Sequence, residues 1–180
     1  RKSLSPDRNT RLTYTQGTLE ITMPLEIHEF SAWLIGRFIY ILASEFGMKL
    51  KTMGSTTLDR EVLDRSSEPD AAYYIQNQPL VAGRDVDLDK DPPPDLIVEV
   101  DITHTDIDKL RLYASMGVPE FWRYNGEVWR IYCLQHDHYI EAELSPTFPE
   151  VPKAKLYEFL TVARLVEMEA DRILRECVRS

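Results

Sequence analysis

The segment Asp95-Leu96-Ile97-Val98-Glu99-Val100-Asp101-Ile102 constrains the fold more than any other part of the chain. It is nearly continuous in apolar residues, as expected for a central strand buried on both faces. Such a strand needs neighbours on either side and helices or further layers above and below it. Two acids, Glu99 and Asp101, interrupt the run. Side chains in a strand alternate faces, so Asp95, Ile97, Glu99 and Asp101 are expected to share one. Breaks of a local pattern tend to mark functional sites.

The flanking sequence supplies the rest of a mixed sheet. Residues 11–23 alternate around Gln16-Gly17 and read as a hairpin. Pro24 opens a helix expected to run to Phe46, with Gly47 as its stop. Phe30, Leu34, Phe38, Ile41 and Glu45 follow helical spacing, and Trp33 and Leu42 widen that stripe. Short strands are expected at 49–53, 56–58 and 71–75, with a polar loop over 59–67. Residues 76–93 read as a long polar connection. After the central strand, Thr103 to Thr105 can cap a helix over 106–116, ended by Gly117. A strand over 118–124, the turn signal Asn125-Gly126, and strands over 127–134 and 138–144 make a meander. A proline-rich connector leads to one long or two shorter amphipathic helices over 155–178. The expected class is α/β (α+β): a mixed central sheet flanked by helices 24–46, 106–116 and 155–178. Residues 1–10 read as a loosely attached start before one domain spanning 11–180.

Composition narrows the classes of function. A 180-residue chain that is 43% hydrophobic can build a core without disulfides. No run of about 18 apolar residues exists, and no secretory leader pattern is seen. Cys133 and Cys177 are too few for a disulfide framework, so a reducing, cytoplasmic home is expected. The net charge of -9 weighs against a simple nucleic-acid binder, which usually carries a basic face. A nucleic-acid substrate requires either that the acid be concentrated at a metal site and on one solvent face, or that the substrate be held mainly through metal ions and a local basic strip.

Glu99 and Asp101 sit at the end of the strand, just before the chain turns toward a helix. Hard cations such as Mg²⁺ take one or two carboxylates, keep several waters and bridge to phosphate. A metal so placed activates water for phosphodiester cleavage. Asp70, at the mouth of strand 71–75, is the second carboxylate best placed to join Glu99, with the Val100 carbonyl as a third metal ligand. An amine is also needed to orient water or stabilise the transition state. The place two residues after Glu99 holds Asp101, but Lys109 on the following helix can reach back. The same residues also admit structural roles. Asp70 and Asp95 suit turns and strand entries, and Glu99 and Asp101 suit pairing with Arg111, Arg123 or Lys109.

Four stretches carry a family resemblance: G-T-L-E-I-T-M-P with His28-Glu29 soon after; E-P-D-A-A-Y-Y-I; P-P-P-D-L-I-V-E-V-D-I-T; and D-K-L-R-L-Y-A-S-M-G-V-P-E-F-W-R-Y. Their order over residues 11–135 resembles the bacterial "putative restriction endonuclease" family of the PD-(D/E)XK nuclease superfamily. The resemblance implies a restriction-endonuclease-like fold and an Mg²⁺- or Mn²⁺-dependent endonuclease acting on DNA. It implies Asp70 and Glu99 as metal ligands and Lys109 as the displaced motif lysine, with Asp95 and Asp101 accompanying them. Asp101 departs from the family, where many relatives carry a small or apolar residue. A homodimer would supply two cutting centres. The alternative is a nuclease-fold protein that no longer cuts and serves as a binding or dimerisation module, which the net charge and Asp101 favour.

Other residues admit both functional and structural roles. Glu20 or Glu29 can add a metal ligand or be solvated acids. His28 matches the family pattern and suits a capping or hydrogen-bonding role. His136-Asp137-His138 falls where a hairpin turns and reads as an exposed loop rather than a transition-metal site. Trp122, Tyr124, Trp129 and Tyr132 read as packing against helices rather than as a base-stacking strip. Cys133 has no partner histidine that would make it a nucleophile.

Overall fold

The computed structural model describes residues 11–15, 17–22, 26–54, 56–60, 65–102 and 107–180. Residues 1–10, Pro24 and Thr103 to Thr105 lie outside them, and with them the expected loose start, helix opening and threonine cap. Strands β1 (Arg11–Thr15) and β2 (Thr18–Thr22) form the hairpin around Gly17. Helix α1 spans Glu26–Glu45. It stops as its sequence requires. Gly47 takes φ +65, which lets Met48 N–H reach the Ala43 carbonyl at 2.8 Å and Gly47 N–H reach Ser44 at 3.2 Å.

Strands β3 (Lys51–Gly54), β4 (Leu58–Arg60), β5 (Arg65–Ser67) and β6 (Ala71–Tyr74) follow. The expected loop over 59–67 is therefore corrected. Its two ends pair with each other, Leu58 opposite Ser67, and β5 also pairs with β1. Polar residues with weak strand preference are drawn into the ladder by their neighbours. The connection over 76–93 holds one short helix, α2 (Gln78–Val81). The central strand is β7 (Leu96–Val100), and every residue of it is buried. Helix α3 (Lys109–Ser115) is capped by Asp108, whose carboxylate accepts from Arg111 N–H at 3.1 Å. Strands β8 (Glu120–Tyr124), β9 (Trp129–Gln135) and β10 (His138–Ala142) complete the meander. The chain ends in two helices, α4 (Lys153–Ala163) and α5 (Glu167–Arg179).

Among the described residues the strands make two sheets, β2-β1-β5-β4 and β10-β9-β8-β7-β6-β3. The second is mixed, because β7 and β8 run parallel through the α3 crossover while its other pairings are antiparallel. Alternation along β7 then divides the apolar core. Leu96, Val98 and Val100 join Trp122, Tyr124, Trp129 and Ile131 under α1, α4 and α5. Ile97 joins Ala72, Phe121 and Tyr113 under α3. Trp122 and Trp129 meet edge to face at 4.7 Å, so these aromatics are core, as their alternation implies. Tyr132 instead stacks on Phe121 on the α3 side, at 5.8 Å.

The α1 stripe is narrower than its spacing suggests. Trp33 is 60% exposed, and its indole N–H donates to Glu167 at 3.3 Å. Gly36 permits the close seating of α1: a Cβ there would stand 3.0 Å from the Tyr73 hydroxyl. The proline-rich connector is held by buried Glu120, which accepts from Trp122 Nε1 at 2.6 Å and from Thr147 N–H and hydroxyl at 3.1 and 2.6 Å. No helix among the described residues is long and apolar enough to cross a membrane.

Candidate functional site

The polar cluster of this fold grows from the C-terminal end of β7. Glu99 is turned toward α3 by the alternation that sends Val98 and Val100 the other way. On α3, Lys109 and Tyr113 are four residues apart and so project from one helix face. Both reach Glu99. The Lys109 ammonium donates to Glu99 Oε2 at 2.8 Å, and the Tyr113 hydroxyl donates to Glu99 Oε1. The same ammonium donates to Asp101 Oδ1 at 2.8 Å, and Arg123 Nε donates to Asp101 Oδ2 at 2.7 Å. Two carboxylates thus face two cations in a nearly closed setting, with 4%, 7% and 11% of the Glu99, Asp101 and Lys109 side chains exposed. On the far side of Tyr113, the Ser67 hydroxyl of β5 lies 2.8 Å from the phenol oxygen.

Asp70 approaches the same strand end from β6. Its Oδ2 accepts the Val100 N–H at 2.5 Å, one residue beyond Glu99. The β6–β7 register, with Ala71 opposite Val98, brings it there. His28 Nε2, from the first turn of α1, stands 3.4 Å from that oxygen, and the mostly exposed Glu29 lies 3.6 Å from His28 Nδ1. Asp95 is placed elsewhere. It lies four residues before Glu99, about 13 Å at strand rise. There it accepts from Ile75 N–H at 2.6 Å, Asn77 N–H at 3.0 Å and Asn77 Nδ2 at 2.7 Å. Its carboxylate ties the exit of β6 to the entry of β7, the strand-entry role that its position after Pro94 also allows.

Glu99, Asp101 and Lys109 are brought together, with Asp70 held against the next backbone amide. Glu20 lies half-buried on β2. His136, Asp137 and His138 form the exposed β9–β10 turn, with His136 at φ +59. The half-buried Cys133 thiol is pushed up by burial and by Glu120, away from thiolate chemistry. Tyr113 and Ser67 were not singled out from the sequence. The i,i+4 spacing of Lys109 and Tyr113 carried the signal for the first. Ser67 has no local signature, because its role depends on where the small sheet packs.

Burial raises the Glu99 carboxyl above its ordinary range, and Asp101 raises it further. The Lys109 ammonium and its hydrogen bond, together with the Tyr113 hydroxyl, pull the other way without cancelling the rise. For Lys109, burial acts downward, but the charges and hydrogen bonds of Glu99 and Asp101 outweigh it and hold the amine above the ordinary lysine value. Tyr113 is raised by burial and by Glu99, so it stays a phenol and a donor. A carboxyl whose folded value is raised contributes stability below its unfolded value and loses it as pH rises through the folded one. Glu99→Gln removes that titration. Its melting temperature relative to the native protein is therefore expected to climb through the pH range above the ordinary glutamate value. Thermal melts across that range would show it, and a flat or falling difference would contradict the assignment.

Among the described residues no group of three or more His, Cys, Asp or Glu side chains converges as a metal cage. The donors are nonetheless hard oxygens, and each carboxylate oxygen has more than one lone pair. They suit Mg²⁺ or Mn²⁺, which take one or two carboxylates and keep water on the remaining positions.

Residues 3–163 match the family model Uma2, described as "Putative restriction endonuclease". A crystal structure of a "putative nuclease" from Anabaena variabilis is similar in fold, with a TM-score of 0.55 and 17% identity over 82% of this chain and 89% of that one. No curated protein matches the chain. With the matching model spanning most of its length and a restriction-endonuclease-like mixed sheet carrying the acidic cluster, the chain belongs to the Uma2 family of "putative restriction endonucleases".

Proposed function

We propose that the protein is an endonuclease that hydrolyses DNA phosphodiester bonds with Mg²⁺ or Mn²⁺. The observation that supports this best is the meeting of Glu99, Lys109 and Asp101, with Asp70 on the adjoining amide, at one end of the central strand. Asp70, Glu99 and the Val100 carbonyl would hold the metal. A divalent ion held there lowers the pKa of bound water and offsets phosphate charge. The chain's own groups do the remaining work. The Tyr113 hydroxyl fixes the Glu99 carboxylate. A lysine held above its ordinary pKa is an ammonium with no lone pair, so Lys109 orients the attacking water and stabilises developing charge as a donor rather than as a base. Asp101, itself held by Arg123, keeps Lys109 in place. Burial of the centre strengthens each of these interactions. Two copies of the chain would cut both strands of a duplex, and the free Cys133 and Cys177 suit a reducing cytoplasm.

Nicking of supercoiled plasmid with Mg²⁺ or Mn²⁺ tests the reading. Glu99→Ala, Asp70→Ala and Lys109→Ala should each lower the rate by about 10²-fold or more. Unchanged rates in the Glu99 and Lys109 variants would remove this centre from the reaction.

One observation favours a second reading, a nuclease-fold module that does not cut. Both oxygens of Glu99 and of Asp101 are already matched by Lys109, Tyr113 or Arg123, so the cluster is charge-balanced as it stands. A native protein that neither binds Mn²⁺ nor nicks plasmid decides for the module.

A further inference from the structure

The sheet registers put Glu99, Arg123 and Arg130 in one row across β7, β8 and β9. Directly opposed residues of neighbouring strands point to the same face, so both arginines project on the side of Glu99 and α3. Like charges opposed in this way repel, and the structure relieves the pair unequally. Arg123 turns to Asp101 at 2.7 Å. Arg130 approaches Glu141 Oε2 at 3.7 Å, longer than a hydrogen bond, and shares a hydrogen bond with the Tyr132 hydroxyl, while its side chain stays 44% exposed. Glu141 is shared, since Lys153 Nζ stands 3.9 Å from its other oxygen. Tyr132 lies two residues along β9 on the same face, and its hydroxyl feels both Arg130 and Arg123. Two guanidinium groups, 32% and 44% exposed, thus extend the row from Glu99 across the sheet.

We propose that Arg130, with Arg123 beside it, is a subsite for a backbone phosphate of duplex DNA a few nucleotides from the phosphate being cut. The proposal rests on the nuclease reading above. Two strand spacings put Arg130 about 10 Å from Glu99, a reach of two to three nucleotides at roughly 3.4 Å each along the duplex axis. A guanidinium binds phosphate through two parallel donors and stays charged at any working pH. An anion between the arginines also relieves the repulsion that the register imposes. In a chain of net charge -9, a local cation pair of this kind gives a polyanion somewhere to rest without a broad basic face.

The test is fluorescence anisotropy of a labelled short DNA duplex in Ca²⁺, over a range of salt, with native protein and the Arg130→Ala, Arg130→Lys and Arg172→Ala variants. Arg172 is an exposed arginine on α5 and serves as the charge-matched control. Arg130→Ala should weaken binding roughly 5- to 10-fold and reduce the slope of log affinity against log salt by about 1, with Arg130→Lys in between and Arg172→Ala near native. Arg130→Ala binding as tightly as native, an equal loss in Arg172→Ala, or no DNA binding by the native protein would each overturn the subsite. Plasmid nicking separates this from the nuclease reading. A native protein that nicks while Arg130→Ala binds and cuts normally loses the subsite alone. One whose DNA binding needs Arg130 but which never nicks keeps the subsite and loses the cutting.

Discussion

Lys109→Met is expected to destabilise the protein by about 3–5 kcal/mol, and Mn²⁺ is expected to recover a large part of that loss. Methionine keeps an unbranched side chain of similar reach but removes the ammonium that Glu99 and Asp101 share at 2.8 Å. Removing one member of a buried charge cluster leaves its partners desolvated without compensation, which is where effects of this size arise. Arg123 then serves only Asp101, and Glu99 retains the Tyr113 hydroxyl alone among the contacts described. A divalent cation that binds only the folded state stabilises it by about 2.7 kcal/mol at a hundredfold excess over its dissociation constant. It should therefore raise the melting temperature of Lys109→Met more than that of the native protein. Thermal melts with and without Mn²⁺ make the measurement. A loss under about 1 kcal/mol, or no greater Mn²⁺ effect in the variant, contradicts a cation-seeking pair of acids.

Asp95→Ala is expected to be nearly as damaging to stability while leaving the chemistry of folded molecules alone. Its carboxylate is the shared acceptor for Ile75 N–H, Asn77 N–H and Asn77 Nδ2, and its residue is 3% exposed. Each buried donor stripped of its acceptor costs about 1–3 kcal/mol, and water entering the gap moderates the total. A loss of about 2–4 kcal/mol in urea unfolding follows. Nicking per folded molecule should stay close to native, in contrast to Asp70→Ala. A fall in that specific rate as deep as for Asp70→Ala would put Asp95 back in the active centre.

These two residues show what could be read from the sequence. The apolar continuity of 96–100 located the central strand, because burial on both faces leaves an unmistakable composition. The acids within it and the reach of Lys109 followed from strand alternation and side-chain length. Alternation also put Asp95 on the face of Glu99, but it says nothing of the strand's length. At the far end of β7 a carboxylate finds backbone amides rather than other acids. Trp33 matched the helical stripe and still faces solvent, because periodicity defines a face only to within about a residue on either side. The strand expected over 56–58 meets β4 only at Leu58, and β5 went unread, since Arg65-Ser66-Ser67 has no strand-forming preference of its own. Ser67 was lost with it, as its contact with Tyr113 exists only once two sheets have packed.

That contact joins separate layers. Ser67 belongs to the four-stranded sheet, Glu99 to the six-stranded one, and the Tyr113 phenol touches both. The hairpin layer is thereby geared to the acid: a tilt of β5 pulls on the phenol, and the phenol swings the carboxylate. Whatever leans on the four-stranded sheet reaches the centre through that phenol and through Leu58, which packs beside Ile97 and the Tyr113 ring.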